Sequence, residues 1–225
     1  MSEKYSAVLL SGGLDSAVLL AFAAQTAPVV PIYVSVGFAW EAQERRMVER
    51  LLASPVLSRL AIAPLATLSF DMRDVYPPSH WAVRGDAPGF DTPDEDVYID
   101  GRNITLLSKA SIYMARHDIP RVLMGQLANN PFPDASAEFF GAMARALSVG
   151  LAAPIEVATP FTTKSKTDVI HLGLELGVPF ELTLSCMQPE NGQHCGRCSK
   201  CRERRDAFIE AGADDPTPYR TRPLR

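Results

Sequence analysis

The sequence predicts an α/β fold, a doubly wound parallel sheet with a small C-terminal zinc-binding subdomain. Three observations carry that expectation. Apolar runs alternate with segments of helical period from the N-terminus onward, which implies a parallel sheet with helices on both faces. A glycine pair sits between the first apolar run and the first helical one. All 4 cysteines fall in the last quarter of the 225-residue chain.

Taken in order, YSAVLL (5–10) reads as a buried strand and DSAVLLAFAAQ (15–25) as the helix after it. VVPIYVSV (29–36) is a second buried strand, and EAQERRMVERLLAS (41–54) alternates charged and apolar residues at helical spacing. LATLSF (65–70) is a third strand. Residues 71–100 are rich in Pro, Gly and Asp and break the rhythm. A loop of that length in a compact domain is a lid, a binding loop or a disordered insertion. RNITLLSKASIYMARH (102–117) resumes as a helix, RVLMGQ (121–126) as a short strand, and NNPFPD (129–134) as a loop. The helix ASAEFFGAMARALSVG (135–150) follows. In SKTDVIHLGLELG (165–177), Ser165 is the expected N-cap, Asp168 completes its box and Gly177 stops the helix. A final helix covers about 200–211, which divides the chain into a nucleotide-binding part, 1–180, and a zinc-binding part, 181–225.

Hydrophobic content of 47% and charged content of 21% are ordinary for a soluble globular enzyme. No apolar run approaches the roughly 20 residues of a membrane span, and MSEKYSAVLL lacks the apolar core of a secretory signal. The expected location is the cytoplasm. A net charge of −4 disfavours a duplex-binding protein and leaves small-molecule chemistry. The basic cluster CRERRDAF reads as a solvated helix face.

The glycines in SGGLDS (11–16) have a plain reading, a tight turn. They also have a functional one. Backbone N–H groups from Ser11 to Ser16 can surround an anion at a helix N-terminus, where orphan donors and the macrodipole favour negative charge. Asp15 would repel a phosphate unless a divalent cation joined them, so magnesium is the expected companion. No lysine follows in the manner of the G-x-x-x-x-G-K-[ST] loop.

The cysteines Cys186, Cys195, Cys198 and Cys201 are spaced C-x8-C-x2-C-x2-C. Four thiolates satisfy a tetrahedral zinc with no open position, which makes the site structural. An iron–sulfur cluster or a redox thiol pair would use the same residues. His194, beside Cys195, is expected on the surface of the loop, with displacement of one ligand as the alternative.

SGGLDS resembles the SGGxDS pyrophosphate-binding loop of the ATP pyrophosphatase superfamily, whose members cleave ATP to AMP and pyrophosphate. Together with the cysteine pattern it resembles the 7-cyano-7-deazaguanine synthase family. YIDGRNITLLSKA, PFPDASAEFF, TPFTTKSKTDVIHLGLELGVPFELTLSC and CGRCSKCRERRDAF extend the likeness over nearly the whole chain. Two segments depart from it: VGFAWEAQER stands where the family shows a YGQRH-like run, and QLANNPF is a shortened loop.

The resemblance implies a Rossmann-like fold of the adenine nucleotide alpha hydrolase type and a homodimer. It implies a ligase that adenylates the carboxylate of 7-carboxy-7-deazaguanine and, with ammonia, makes the nitrile, releasing AMP and pyrophosphate. ATP is then expected on Leu10, Ser11, Gly12, Gly13, Leu14, Asp15, Ser16 and Ala17, and catalysis on Asp15, Lys166 and Arg102. The acid is expected at Arg102, Asn103, Gly125, Asp134 and Glu138. Read as residues alone, Lys166 is equally a solvent lysine of a first helical turn and Arg102 a surface arginine. Asp134 could grip an amidine-like edge or cap the helix starting at Ala135, and Glu138 reads as a first-turn acid. The rival functions are a relative that activates another carboxylate or modifies tRNA, and a non-enzymatic zinc-ribbon adaptor.

Overall fold

The computed structural model describes residues 5–128 and 130–223; Met1–Lys4, Asn129, Leu224 and Arg225, which the expectations for the N-terminus, the 129–134 loop and the C-terminal part touched, lie outside them. Five strands form a parallel sheet: β1 (Ser6–Leu9), β2 (Val29–Ser35), β3 (Ala66–Ser69), β4 (Arg121–Leu123) and β5 (Glu156–Ala158). Their order is β3-β2-β1-β4-β5, with Val8 of β1 opposite Pro31 of β2 on one side and Leu123 of β4 on the other. Inner strand β2 is buried from Val29 to Val34, as a strand covered on both faces requires.

Strand periodicity of two assigns neighbouring side chains to opposite cores. Val8 and Tyr33 join Leu14, Val18, Val48, Ile170 and Phe208 on one face. These come from α1 (Leu14–Ala23), α2 (Glu41–Leu52), α6 (Lys166–Glu175) and α7 (Ser199–Glu210). Ala7, Ile32 and Val34 join Leu107, Met114 and Phe140 on the other. Those belong to α4 (Arg102–Arg116) and α5 (Ala137–Leu151). The expected doubly wound sheet is present. The C-terminal segment is continuous with it, since Ala207 and Phe208 belong to the main core.

The start of α6 is built as expected. The Ser165 hydroxyl accepts the Asp168 N–H at 3.1 Å, and the Asp168 carboxylate accepts the Ser165 N–H at 2.8 Å. Gly177, at φ +68, ends that helix region in the left-handed conformation. α5 begins later than expected. Its N-cap is Ser136, whose hydroxyl accepts the Phe139 N–H at 3.1 Å, so Asp134 does not cap this helix. β5 was not foreseen, because three residues at a sheet edge are too few to display a period.

Residues 71–100 are packed, which excludes a disordered insertion. They contain a short helix, α3 (Trp81–Arg84), and bury Met72, Ala82, Val97 and Ile99. Trp81 stacks on Trp40 with centroids 5.6 Å apart and rings 11° from parallel. The Pro88 carbonyl accepts the Ser199 N–H at 3.1 Å, joining this segment to the start of α7. No helix among the described residues is long and apolar enough to cross a membrane.

Close contact of α1 with α6 depends on Gly173, where an added Cβ would lie 2.3 Å from Phe180 Cζ and 2.7 Å from Val18 Cγ2. Gly173→Ala is therefore expected to destabilise the fold by about 1–3 kcal/mol through overpacking, outweighing the roughly 1 kcal/mol that helix propensity favours alanine. Urea denaturation measures it, and a midpoint equal to or above that of the parent chain contradicts the packing argument.

Candidate active site

β1 and β4 are neighbours whose connections leave in opposite directions, so a crevice opens beyond their carboxyl ends. The SGGLDS turn leaves β1 into that crevice and enters α1 at Leu14. Gly12 has φ +75, and a Cβ there would approach Val48 Cγ2 to 2.8 Å. Gly13, the N-cap of α1, offers no side chain to the first N–H groups of the helix, which stay available to a ligand. Ser11 and Ser16 hold the turn: their hydroxyl oxygens are 3.2 Å apart, and the Ser16 hydroxyl donates to the Gly13 carbonyl at 3.0 Å. After β4 the chain passes close by, since a Cβ on Gly125 would sit 3.3 Å from the Asp15 carbonyl carbon.

Two cavities adjoin here. One, of about 220 Å³, is lined by Ile32, Val34, Leu106 and Met124 along with Asn103 and Gly125. The other, of about 260 Å³, is lined by Trp40, Lys166, Ser185, Lys200 and Glu203. Ser11, Gly13, Asp15, Glu44 and Arg102 border both.

A chain of charges crosses this junction. Lys166 Nζ lies 2.6 Å from Asp15 Oδ2 and 3.0 Å from Glu203 Oε1, and Lys200 Nζ lies 2.5 Å from Glu203 Oε2. Burial alone would lower the Lys166 ammonium, but Asp15 and Glu203 beside it outweigh that and hold it above the usual lysine range. Burial alone would raise the Glu203 carboxyl, but Lys166 and Lys200 hold it down at about 2. Lys166 is thus an ion-paired site residue, and the solvent-lysine alternative falls. Asp15 Oδ1 and Arg102 Nε are buried without a hydrogen-bond partner among the described residues. The Arg102 guanidinium also lies over the Trp40 ring, 5.9 Å from its centroid.

Several site residues went unread in the sequence. Glu44 is buried, and its Oε2 accepts the Tyr33 hydroxyl at 2.8 Å. Burial raises its carboxyl to about 7, against Arg102 and the Tyr33 bond, which favour the ionised form. Glu41 accepts the Ser35 hydroxyl at 2.5 Å and the Val36 and Gly37 N–H groups at 2.9 and 3.0 Å, pinning the turn from β2 into α2. Inside EAQERR these acids look like solvated helix charges. Their signal was position, at the carboxyl end of a buried strand.

Of the residues expected at the acid, Arg102 borders both cavities, Asn103 and Gly125 line the first, and Asp134 and Glu138 line neither. Asp134 is buried, and its Oδ2 accepts the Asn103 N–H at 3.2 Å, satisfying an orphan donor of α4. Burial pushes its carboxyl above the usual range. Glu138 is exposed in the first turn of α5.

The four cysteine sulfurs lie within 4.8 Å of one another, and all four residues are buried. Separations of 3.9 Å (Cys195–Cys201), 4.0 Å (Cys186–Cys198) and 3.5 Å (Cys198–Cys201) bracket the value, about 3.8 Å, that four 2.3 Å bonds to a tetrahedral ion require. The N–H groups of Gln188 and Arg197 point at Cys186 and Cys195 sulfurs at 3.3 Å, which suits thiolates. The donor set fits a metal. His194 is neither a ligand nor on the surface: it is fully buried, and its Nε2 accepts the Ser185 N–H at 3.1 Å. Burial, with Arg204 nearby, lowers its imidazole to about 3.

Residues 5–212 match the family model described as queuosine biosynthesis protein QueC. A 7-cyano-7-deazaguanine synthase of Methanoculleus marisnigri is 34% identical, with 96% of this chain and 99% of that one covered. Those of Thermoplasma volcanium and Pseudomonas aeruginosa are 32% and 30% identical; coverage is 96% and 97% of this chain, and 91% and 100% of theirs.

A metal held by these sulfurs would cross-link the loop at Cys186 to the start of α7. Cys198→Ser is expected to lower bound metal, measured by elemental analysis, at least about tenfold, and to loosen α7 in hydrogen exchange. Full metal content in that variant would contradict a four-thiolate site.

Proposed function

The chain belongs to the queuosine biosynthesis protein QueC family, and on that premise we propose that it converts 7-carboxy-7-deazaguanine to 7-cyano-7-deazaguanine with ATP and ammonia. It is an ATP-dependent enzyme of that pathway. The observation that carries the finer reading is the meeting of two cavities on the SGGLDS amides, because an adenylation needs two reactants side by side over one phosphate.

In this reading the α- and β-phosphates rest on the N–H groups of Leu14, Asp15 and Ser16, where the helix terminus favours negative charge. The purine fills the first cavity between the apolar side chains of Ile32, Val34 and Met124, and Gly125 lets it approach the chain closely. The acid enters the second cavity, its carboxylate drawn by Arg102, whose buried Nε has no other partner among the described residues. Carboxylate oxygen attacks the α-phosphorus, the bond to the pyrophosphate oxygen breaks, and Lys166 meets the charge that leaves. Ammonia then displaces AMP to give the amide, and a second ATP activates the amide oxygen so that AMP departs and the nitrile remains.

Asp15 borders both cavities, and its Oδ1, a buried carboxylate oxygen without a hydrogen-bond partner among the described residues, fits magnesium. When bound, that ion would neutralise phosphate charge at the reacting centre. Zinc is the metal proposed for Cys186, Cys195, Cys198 and Cys201, in a structural role, since four thiolates leave no open position. The division into a nucleotide-binding part, 1–180, and a zinc-binding part, 181–225, is proposed as one of roles. A cytoplasmic homodimer completes the proposal, with light scattering as the check on assembly.

The test incubates the metal-loaded protein with ATP, magnesium, ammonia and the acid, and follows AMP and nitrile by mass spectrometry. Both are expected to form; AMP released only when RNA is added would overturn the assignment. Asp15→Ala is expected to lower AMP release by about 100-fold or more while the circular dichroism spectrum and bound metal persist. Unimpaired turnover in that variant refutes the placing of the phosphates.

A further inference from the structure

Resting on the ligase reading above, we infer that Glu44 is the proton acceptor for the nitrogen nucleophile, at the junction of the two cavities. Ammonium has no free lone pair and is the dominant form near neutral pH, so the amide step needs a base within reach of the acyl-adenylate. The reacting carbon, lying between a purine in one cavity and an acid in the other, is at the junction. Ser11, Gly13, Asp15, Glu44 and Arg102 border that junction. Asp15 is tied to the Lys166 ammonium, Arg102 is a cation, and Ser11 and Gly13 form the turn.

Glu44 is the carboxyl there whose side-chain hydrogen bond comes from a neutral donor, the Tyr33 hydroxyl at 2.8 Å. The ionisable groups around it are Tyr33 from β2, Glu41 from its own helix and Arg102 from α4. Asp15, Lys166, Lys200, Glu203 and Arg204 share the second cavity with it. Burial places the Glu44 carboxyl at about 7, so near neutral pH it is divided between the form that receives a proton and the form that returns one.

The step balances. Ammonium gives one proton to the Glu44 carboxylate, and the freed lone pair forms the C–N bond at the acyl carbon. The C–O bond to the phosphoryl oxygen breaks with its electron pair on AMP. The extra proton on the new C–N nitrogen leaves with the AMP phosphate, and Glu44 releases its own to solvent before the next ammonium arrives.

The experiment uses Glu44→Gln in the full, metal-loaded chain and compares two rates: acid-dependent ATP–pyrophosphate exchange, and amide formation from ammonia. The amide step is expected to fall at least about 100-fold, and at least about 30-fold more than the exchange. Hydroxylamine, which is largely unprotonated at neutral pH, is expected to restore nitrogen transfer in the variant to within about tenfold of the parent. A parallel fall of both rates, or no rescue by hydroxylamine, overturns the inference. Should Glu44→Gln fold poorly, Tyr33→Phe decides. Loss of the hydroxyl that favours the carboxylate raises the Glu44 pKa, so the rising acid limb of the ammonia-dependent rate must move to higher pH; a limb that stays in place overturns the inference. Absence of acid-dependent exchange in the parent chain would count against the ligase reading itself, not against Glu44 in particular.

Discussion

The paired charges of Asp15, Lys166, Glu203 and Lys200 are the constraint on which the site depends. They arrive on three helices, α1, α6 and α7, and each neutralises the next. A partly buried ammonium or carboxylate without its partner would lose hydration with nothing in return, so the three helix starts are bound to one another electrostatically. The capping box at Ser165 serves the same end, because it fixes the first turn from which Lys166 projects.

That chain of charges also joins the metal site to the nucleotide turn. Cys198 is the N-cap of α7, Cys201 lies in its first turn, and Glu203 follows two residues later. A metal holding the cysteines would therefore set where Glu203 stands and, through it, Lys166. Two further contacts strengthen the link. The Gly12 carbonyl accepts the Leu184 N–H at 2.7 Å, and Met47 packs among the cysteines. Behind them Arg204 is fully buried, donating to Thr183 Oγ1 and the Phe180 carbonyl at 2.8 Å each, with its guanidinium over the Phe208 ring. A metal on the four cysteines would thus bear directly on the geometry of the SGGLDS turn.

The segment that departs most from the family pattern, VGFAWEAQER, proves to be densely used. Phe38 packs tilted against Trp40, Trp40 stacks on Trp81, the Arg102 guanidinium lies over Trp40, and Glu41 closes the strand-to-helix turn. Trp40 and the buried Glu44 line this side of the second cavity. Residues 71–100 back Trp40 through Trp81 and are clamped by Arg202, whose guanidinium donates to the Phe90 and Thr92 carbonyls at 2.5 and 3.0 Å.

By itself the sequence determined whatever local patterning encodes. The apolar runs of β1 and β2, the positive-φ glycine of SGGLDS and the Ser165 box are each fixed by residues within a few positions of one another, and the cysteine spacing by one short segment, so they were legible. Tertiary structure alone decided which charges meet. Lys166 finds Asp15 from 151 residues away, Asp134 turns to the start of α4 instead of capping α5, and His194 goes inside. Glu44 and Glu203 look like surface acids until strand order and burial remove their water. Burial and ion pairing are properties of the assembled fold, and no window of sequence carries them.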